Sequence, residues 1–80
     1  MPVFEFRISN STSRTIDFCL EPWGGKYKVR GHGTLRVIIE SPSRPVLEWE
    51  HAEDIHALIV HDPAGASATV YDGDKEMQAE

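Results

Sequence analysis

Apolar and polar residues alternate with a period of two in short stretches along most of this chain. In the first stretch, Phe4, Phe6 and Ile8 alternate with Glu5 and Arg7. This period is typical of a half-buried β-strand, because successive side chains of a strand point to opposite faces of the sheet. No segment shows the longer apolar period of an amphipathic helix. The sequence therefore predicts an all-β fold.

Residues that favour turns separate the stretches, as at residues 9–13 and at Asp72-Gly73. The clearest break is residues 41–45, because its two prolines have no N–H for a strand ladder. The spacing predicts a small antiparallel β-sandwich, with a partly closed barrel as the alternative. The sandwich would have either a Greek-key, cupredoxin-like topology or an immunoglobulin-like one. The predicted strands, about seven, cover residues 3–8, 16–21, 26–30, 35–40, 46–50, 55–60 and 67–71. The predicted core consists of Phe4, Phe6, Phe18, Leu20, Leu35, Val37, Leu47, Trp49, Ile55 and Val70.

A tight bend is predicted where the sequence reads Glu21-Pro22-Trp23-Gly24-Gly25. Pro22 ends the preceding strand, and the two glycines reach backbone angles that a residue with a Cβ adopts only with strain. Trp23 is the largest apolar group at the bend, and the pattern leaves open whether it closes over the core or stands in solvent.

The chain of 80 residues is enough for one domain, residues 1–80, and leaves no room for a second core. A chain this short buries only about 60–65% of the surface that its unfolded form exposes, which predicts a small stability margin. Residues 74–80 are few and highly charged, so we expect them to fray rather than form another core strand.

The net charge of −5 is unevenly distributed along the chain. Residues 1–40 carry six basic and four acidic side chains, a net of +2, whereas residues 41–80 carry two basic and nine acidic ones, a net of −7. An acidic chain repels phosphate backbones, so we predict no nucleic-acid partner. The asymmetry either orients a protein partner or keeps a small sheet protein in solution.

The single cysteine, Cys19, excludes an intramolecular disulfide and is typical of a reducing compartment. No apolar run approaches the roughly 20 residues that span a bilayer, and residues 1–7 do not resemble a signal peptide. These features predict a cytoplasmic protein with no membrane partner. Edge strands on so short a chain are compatible with either a monomer or a weak homodimer.

His51, His56 and His61 are the candidates for a metal site, with Glu53 and Asp54 nearby and Asp62 also in the same segment. Imidazole and carboxylate groups are ligands that zinc and copper accept. However, a spacing of five places two residues on neither the same strand face nor the same helix face. The pattern therefore favours structural or surface histidines, and we predict no cofactor.

No set of residues predicts catalysis. Cys19 and His32 are a nucleophile and a base by type, but nothing in the sequence brings them together or orients the histidine. Glu48 and Glu50 share a strand face, but no neighbour predicts a raised pKa for either carboxylate. Glycines at Gly31-His32-Gly33 precede a strand rather than a helix, so they form turns and not a phosphate site. We therefore predict no enzyme activity.

An interaction surface is the remaining candidate site. It comprises Trp23, Tyr27, Lys26, Lys28 and Arg30, and Trp49 is a further aromatic candidate. Alternation along the strand places the three basic side chains on one outward face, which suits an acidic peptide or anion, or protects an edge strand from aggregation. Aromatic side chains near a loop either anchor a partner or complete the core.

The first half of the chain resembles a group of small bacterial proteins that share an EPWG bend, a tyrosine strand and a glycine turn before an apolar strand. The matching motifs are Asn10-x-Thr12, Phe18-x-Leu20-Glu21-Pro22-Trp23-Gly24, Tyr27-x-Val29 and Gly33-x-Leu35-x-Val37. The resemblance covers residues 4–40, and only the rhythm of short strands matches after Pro45. It implies a compact β-sandwich and supplies no catalytic residue, because that group has no assigned activity.

The Asn-x-Thr motif and the strand rhythm are also loosely similar to cupredoxins, which gather a cysteine, a histidine and a methionine near the C-terminal end as copper ligands. Here Cys19 lies in the first third of the chain, and only His56, His61 and Met77 fall late. The copper ligand set is therefore missing. The sequence favours a protein-interaction or accessory module, with a small-ligand or metal-binding protein using the three spaced histidines as the alternative.

Overall fold

The computed structural model describes residues 2–52, 55–61 and 64–80. These residues form an all-β fold, as the alternating pattern predicts, and include no helix that is long and apolar enough to cross a membrane. Eight strands are formed: β1 (Val3–Ser9), β2 (Ile16–Glu21), β3 (Gly25–Val29), β4 (Thr34–Glu40), β5 (Val46–Ala52), β6 (Ile55–His61), β7 (Ser67–Asp72) and β8 (Lys75–Met77).

The strands form two four-stranded sheets. The first sheet has the order β1-β4-β7-β8 and the second has the order β3-β2-β6-β5. All neighbouring strands are antiparallel except β2 and β6, which run parallel. The hairpins β2–β3, β5–β6 and β7–β8 each stay within one sheet, and the other connections cross between the sheets. The predicted β-sandwich is therefore confirmed, with one parallel pair in it.

The core lies between the two sheets and draws on six of the eight strands. Its largest fully buried side chain is Phe18, whose ring stacks on Tyr27 of the neighbouring strand at 5.4 Å between centroids. The buried apolar residues are Ile8, Phe18, Leu20, Val29, Leu35, Val37, Ile39, Leu58, Val60 and Val70. Burial of these side chains from both sheets is the main stabilising contribution in a sandwich of this size.

The predicted core is right for the central strands and wrong at one edge. Phe18, Leu20, Leu35, Val37 and Val70 are buried as expected. Trp49 is instead 48% exposed, because β5 is an edge strand and has no neighbour on its outer side to cover it. Phe4, Phe6 and Leu47 are half-buried, and the side chain of Ile55 lies outside the described part of the structure.

The most apolar strand, β6, is covered on one face only. Leu58 and Val60 point into the core, whereas Ala57 and Ile59 lie half-buried on the outer face of the second sheet. A continuous apolar run such as residues 55–60 is typical of a strand with both faces covered, but here one face is left open. No helix or third layer lies over this face in the described ranges.

The C-terminal segment, residues 74–80, was expected to fray, but part of it forms a strand. Lys75–Met77 pairs with the end of β7 across a turn in which Gly73 has a φ of +62°. Met77 packs against the core, and the N–H of Glu80 donates to the carbonyl oxygen of Lys26 at 2.9 Å. The tail therefore contacts the free edge of β3 through one hydrogen bond, and the structure has eight strands where about seven are predicted.

The predicted bend lies between β2 and β3. The first strand ends at Glu21 and the second begins at Gly25, as expected from Pro22. Gly24 has a φ of +76°, and its N–H donates to the carbonyl oxygen of Leu20 at 3.0 Å. A positive φ is the conformation in which glycine is favoured over other residues.

Asn10, which is only 3% exposed, joins two loops at one end of the sandwich. Its Nδ2 lies 2.6 Å from the carbonyl oxygen of Arg14, 3.1 Å from that of Val29 and 3.0 Å from that of Arg30. Its Oδ1 accepts from the N–H and the hydroxyl of Thr12 at 3.0 and 2.7 Å. The side chain thus fixes the β1–β2 loop against the end of β3.

Candidate functional site

An apolar cavity opens at the side of the sandwich where β1 of the first sheet faces β5 and β6 of the second. Its volume is about 280 Å³. The lining residues are Phe6, Arg7, Ile8, Ser9, Trp49 and Leu58. Because the cavity lies at the seam between the two sheets, its floor is continuous with the core, to which Ile8 and Leu58 belong. We call it the seam cleft.

Trp49 forms the wall of the seam cleft on the β5 side. It pairs with Leu58 in the strand register, so its indole lies on the inward face of the sheet although nearly half of it is exposed. The indole stacks on the His56 imidazole, with 5.7 Å between centroids and 17° between planes. A large aromatic that is held in place and only half covered is typical of an interaction anchor.

The two edges of the second sheet differ. At the β3 edge the C-terminal tail makes one contact, the hydrogen bond from the N–H of Glu80 to the carbonyl oxygen of Lys26. No strand pairs with the outer side of β5 within residues 2–52, 55–61 and 64–80. Alternate residues along an uncovered edge present their N–H and C=O groups outward, so this seven-residue strand is a template for another strand.

Two of the three predicted histidines meet across the β5–β6 hairpin. His51 and His56 are register partners, and their Nδ1 atoms lie 2.8 Å apart. A spacing of five gives no shared face along one straight strand, but a hairpin between the two residues folds them onto the same face. His61 lies on the opposite face, where its Nε2 is 2.8 Å from Oε1 of Glu48.

A second cavity, of about 460 Å³, lies beside the histidine pair and is also lined by Asp17 and Arg14. Within the described ranges no group of three or more histidine, cysteine, aspartate or glutamate side chains is placed to hold a metal ion. Glu53, Asp54 and Asp62, the acids predicted to assist the histidines, lie outside the described residues.

The predicted basic surface is divided by the structure. Lys26 and Lys28 lie on the outer face of the second sheet, and their Nζ atoms are 3.6 and 3.2 Å from the Asp17 carboxylate. The hydrogen bond from Lys28, together with the charges of both lysines, holds the pKa of Asp17 below its ordinary value. Arg30 follows the end of β3 and pairs at 3.2 Å with Asp72, which belongs to the first sheet.

The two predicted aromatic anchors at the bend have different environments. Trp23 is 40% exposed in the turn between β2 and β3. Tyr27 points inward, half-buried, and stacks on Phe18. Trp23 therefore remains a candidate for contact with a partner, while Tyr27 serves mainly to complete the core.

The residues that were considered for catalysis do not come together in one site. Cys19 lies half-buried on the outer face of the second sheet, next to Lys26 in the strand register. His32 lies in the turn between β3 and β4 with a φ of 58°, and no hydrogen bond joins it to Cys19 in the described structure. Glu48 and Glu50 share the outer face, as predicted from their spacing.

Comparisons with known protein families, with characterised proteins and with solved structures find no match to this chain. The resemblance of residues 4–40 to the EPWG-bend proteins therefore stays a prediction. Sequence reasoning missed the seam cleft, because the cleft depends on which strands lie at the edges. It named His51 and His56 as candidates but missed that they pair, and the only sequence signal for the pairing is that the two histidines flank a short segment between two strands.

Proposed function

We propose that this small β-sandwich is a protein-interaction module that binds an extended segment of a partner protein along β5. The observation that carries the proposal is the half-exposed Trp49 at the mouth of the seam cleft, on a strand with an uncovered edge. The single free thiol of Cys19 supports placing this function in the cytoplasm.

The uncovered edge determines the conformation of the segment. A segment that adds to a sheet edge must be extended, because its backbone N–H and C=O groups bond those of the edge strand. These bonds provide affinity without regard to sequence. Specificity then comes from side chains on alternate positions of the added strand.

The side chains of β5 determine which residues alternate in the segment. On the inward face, Trp49 and the cleft lined by Phe6 and Leu58 fit an apolar side chain. On the outward face, Glu48 and Glu50 are exposed and fit basic side chains. The segment that matches both faces therefore alternates apolar and basic residues.

Calorimetric titration with two capped heptapeptides tests this proposal. One peptide alternates valine with lysine and the other alternates valine with glutamate. We expect the lysine peptide alone to bind, and we expect Trp49→Ala to weaken its binding about tenfold, the effect of losing a central aromatic anchor. Hydrogen exchange should slow at alternate amides of β5 when the peptide is bound.

Trp23→Ala is the matched control, since Trp23 is also a half-exposed tryptophan but lies at the bend between β2 and β3. It should leave peptide affinity unchanged. The proposed site would be contradicted if the two peptides bound equally well, or if both tryptophan variants lost the same peptide affinity. It would also be contradicted if the bound peptide slowed hydrogen exchange outside β5.

A second candidate function, transition-metal binding, is favoured by the His51–His56 pair. Two nitrogens bound to one tetrahedral zinc ion at 2.0–2.1 Å lie about 3.3 Å apart. The two Nδ1 atoms are 2.8 Å apart, so a separation of about half an ångström would let both bind the ion. Because His61 is on the other face, it does not contribute a third ligand at this position.

Thermal unfolding with zinc chloride, in a buffer that does not chelate zinc, tests the second candidate. A metal that binds only the folded protein raises Tm, by roughly 10–20 °C when its concentration is about a hundredfold above Kd. We expect this rise in the wild type and in His61→Ala, and its loss in His51→Ala and His56→Ala. An unchanged Tm in the wild type, or an equal rise in all variants, would rule out a site at this pair.

A further inference from the structure

The seam cleft is a gap in the cover of the core. Ile8 and Leu58 line it, and with exposed fractions of 8% and 7% they are the least covered of the buried apolar residues in the described ranges. Its two walls are aromatic, with Trp49 on the β5 side and Phe6 on the β1 side. The cleft therefore offers an apolar floor between two aromatic walls.

Trp49 is the last member of a row of neighbouring rings on the inward face of the β5–β6 hairpin. The imidazoles of His51 and His56 lie 4.5 Å apart between centroids, and that of His56 lies 5.7 Å from the indole. Both separations fall within the roughly 4.5–7 Å at which aromatic rings favour contact. The indole lines the seam cleft and the His56 imidazole does not, so a ring bound in the cleft would extend the row by one member.

The two polar residues that line the seam cleft are engaged outside it. The Nε of Arg7 donates to Glu5 at 3.1 Å, and the two charges oppose each other at the rim. The hydroxyl of Ser9 lies 3.1 Å from that of Thr34, its register partner in the first sheet. A neutral, apolar group is therefore the best match for the cleft, because burying a charged or polar group without a partner costs free energy.

The volume of the seam cleft favours a ring over a small aliphatic side chain. A closed apolar cavity of roughly 150 Å³ is large enough to bind benzene. The seam cleft has about 280 Å³, so a valine side chain of a bound segment would leave most of it unfilled. An aromatic side chain fills more of the space and contacts both walls.

We propose that the segment bound along β5 carries an aromatic side chain opposite Trp49, and that this ring enters the seam cleft between Trp49 and Phe6. This inference rests on the proposed binding of an extended segment to β5. Trp49 is both the central residue of β5 and a wall of the cleft. A strand added to the β5 edge therefore brings its central inward side chain to the cleft.

Calorimetric titration with three capped heptapeptides tests the proposal. Each alternates lysine with valine and begins with lysine, and its central residue is valine, cyclohexylalanine or phenylalanine. Cyclohexylalanine is at least as large and as apolar as phenylalanine but has no aromatic ring. We expect the phenylalanine peptide to bind about tenfold more tightly than the valine peptide, because it buries more apolar surface. It should bind about three- to tenfold more tightly than the cyclohexylalanine peptide, which is the effect of contact between aromatic rings.

Trp49→Leu should remove most of the preference for phenylalanine over cyclohexylalanine, because leucine keeps an apolar wall and lacks the ring. Trp23→Leu is the matched control, since it removes a half-exposed tryptophan at the bend between β2 and β3, and it should keep the preference. Circular dichroism confirms that both variants fold.

Methyl NMR shows where the ring binds. The ring current of the phenylalanine peptide should shift the methyl resonances of Ile8 and Leu58 at the floor of the cleft, and the cyclohexylalanine peptide should shift them much less. Val70, buried on β7 of the first sheet, is the internal control. N-acetylphenylalanine amide supplies a ring without a strand and should bind far more weakly, because it lacks the row of backbone hydrogen bonds to β5.

The proposal would be overturned if the phenylalanine and cyclohexylalanine peptides bound equally, if Trp49→Leu kept the full preference, or if the resonances of Ile8 and Leu58 did not move. Binding of N-acetylphenylalanine amide as tight as that of the peptide would also overturn it, since the cleft would then take a free aromatic compound. In each of these cases the valine peptide can still bind along β5. Failure of the proposed function is a different result, in which none of the three peptides binds, and the inference then fails with it.

Discussion

Replacing Phe18 by alanine should remove most of the stability of this protein. Phe18 is fully buried in β2, a central strand of the second sheet, and its ring stacks on Tyr27. Truncating a buried phenylalanine costs about 3–5 kcal/mol, because apolar contact is lost and a cavity remains. A domain of this length has roughly 4–12 kcal/mol of stability in total. Urea unfolding followed by circular dichroism should therefore show a large fall in the midpoint.

Phe4→Ala is the matched control for Phe18→Ala. Phe4 is also a phenylalanine on a strand, but it is half-buried on the edge strand β1. We expect a loss of about half as much or less, because burial and contact are smaller at this position. If Phe18→Ala and Phe4→Ala were equally destabilising, Phe18 would not be the centre of the core.

The contrast between these two phenylalanines shows what the sequence predicts well. Alternation with a period of two identifies the strands and assigns Phe4 and Phe18 to inward faces. It does not show which strand is central, because the order of strands in a sheet depends on contacts that are distant along the chain. Phe18 is therefore fully covered and Phe4 is not, although their local patterns are alike.

The candidate site illustrates the same limit. Trp49 was predicted to be buried because it lies on an inward face, but the edge position of β5 leaves it nearly half exposed. His51 and His56 looked unrelated along one strand and become neighbours through the hairpin register.

The C-terminal strand was missed for a related reason. Lys75–Met77 is short and mostly exposed, so its own sequence contains little strand signal. The turn at Gly73 brings it back onto β7, and Met77 contacts the core. Asp72-Gly73 was recognised as a turn, but a turn shows only that the chain reverses and not whether the following residues pair.

Replacing Asn10 by alanine should destabilise the protein by about 2–4 kcal/mol, since several buried or part-buried hydrogen bonds are lost and their partners remain. Asn10 is nearly fully buried, and its Nδ2 serves the carbonyl oxygens of Arg14, Val29 and Arg30. The hydrogen bond to the carbonyl oxygen of Val29 is buried, so water does not readily replace the lost amide donor there. Urea unfolding should show a lower midpoint with an unchanged slope, because the same core still unfolds.

Asn10→Asp and Thr12→Val separate the donor role of Asn10 from its acceptor role. Aspartate keeps the shape of the side chain but places an oxygen where Nδ2 donates, so it faces three carbonyl oxygens and should destabilise at least as much as alanine. Thr12→Val removes one hydroxyl donor to Oδ1 and leaves the backbone N–H donor in place, and should cost only about 1 kcal/mol. A mild effect of Asn10→Asp together with a large effect of Thr12→Val would show that Asn10 acts mainly as an acceptor for the β1–β2 loop. A large effect of Asn10→Asp together with a small effect of Thr12→Val would show that Asn10 acts mainly as a donor. The hydrogen bonds from its Nδ2 to the loop and to the end of β3 would then stabilise this end of the sandwich.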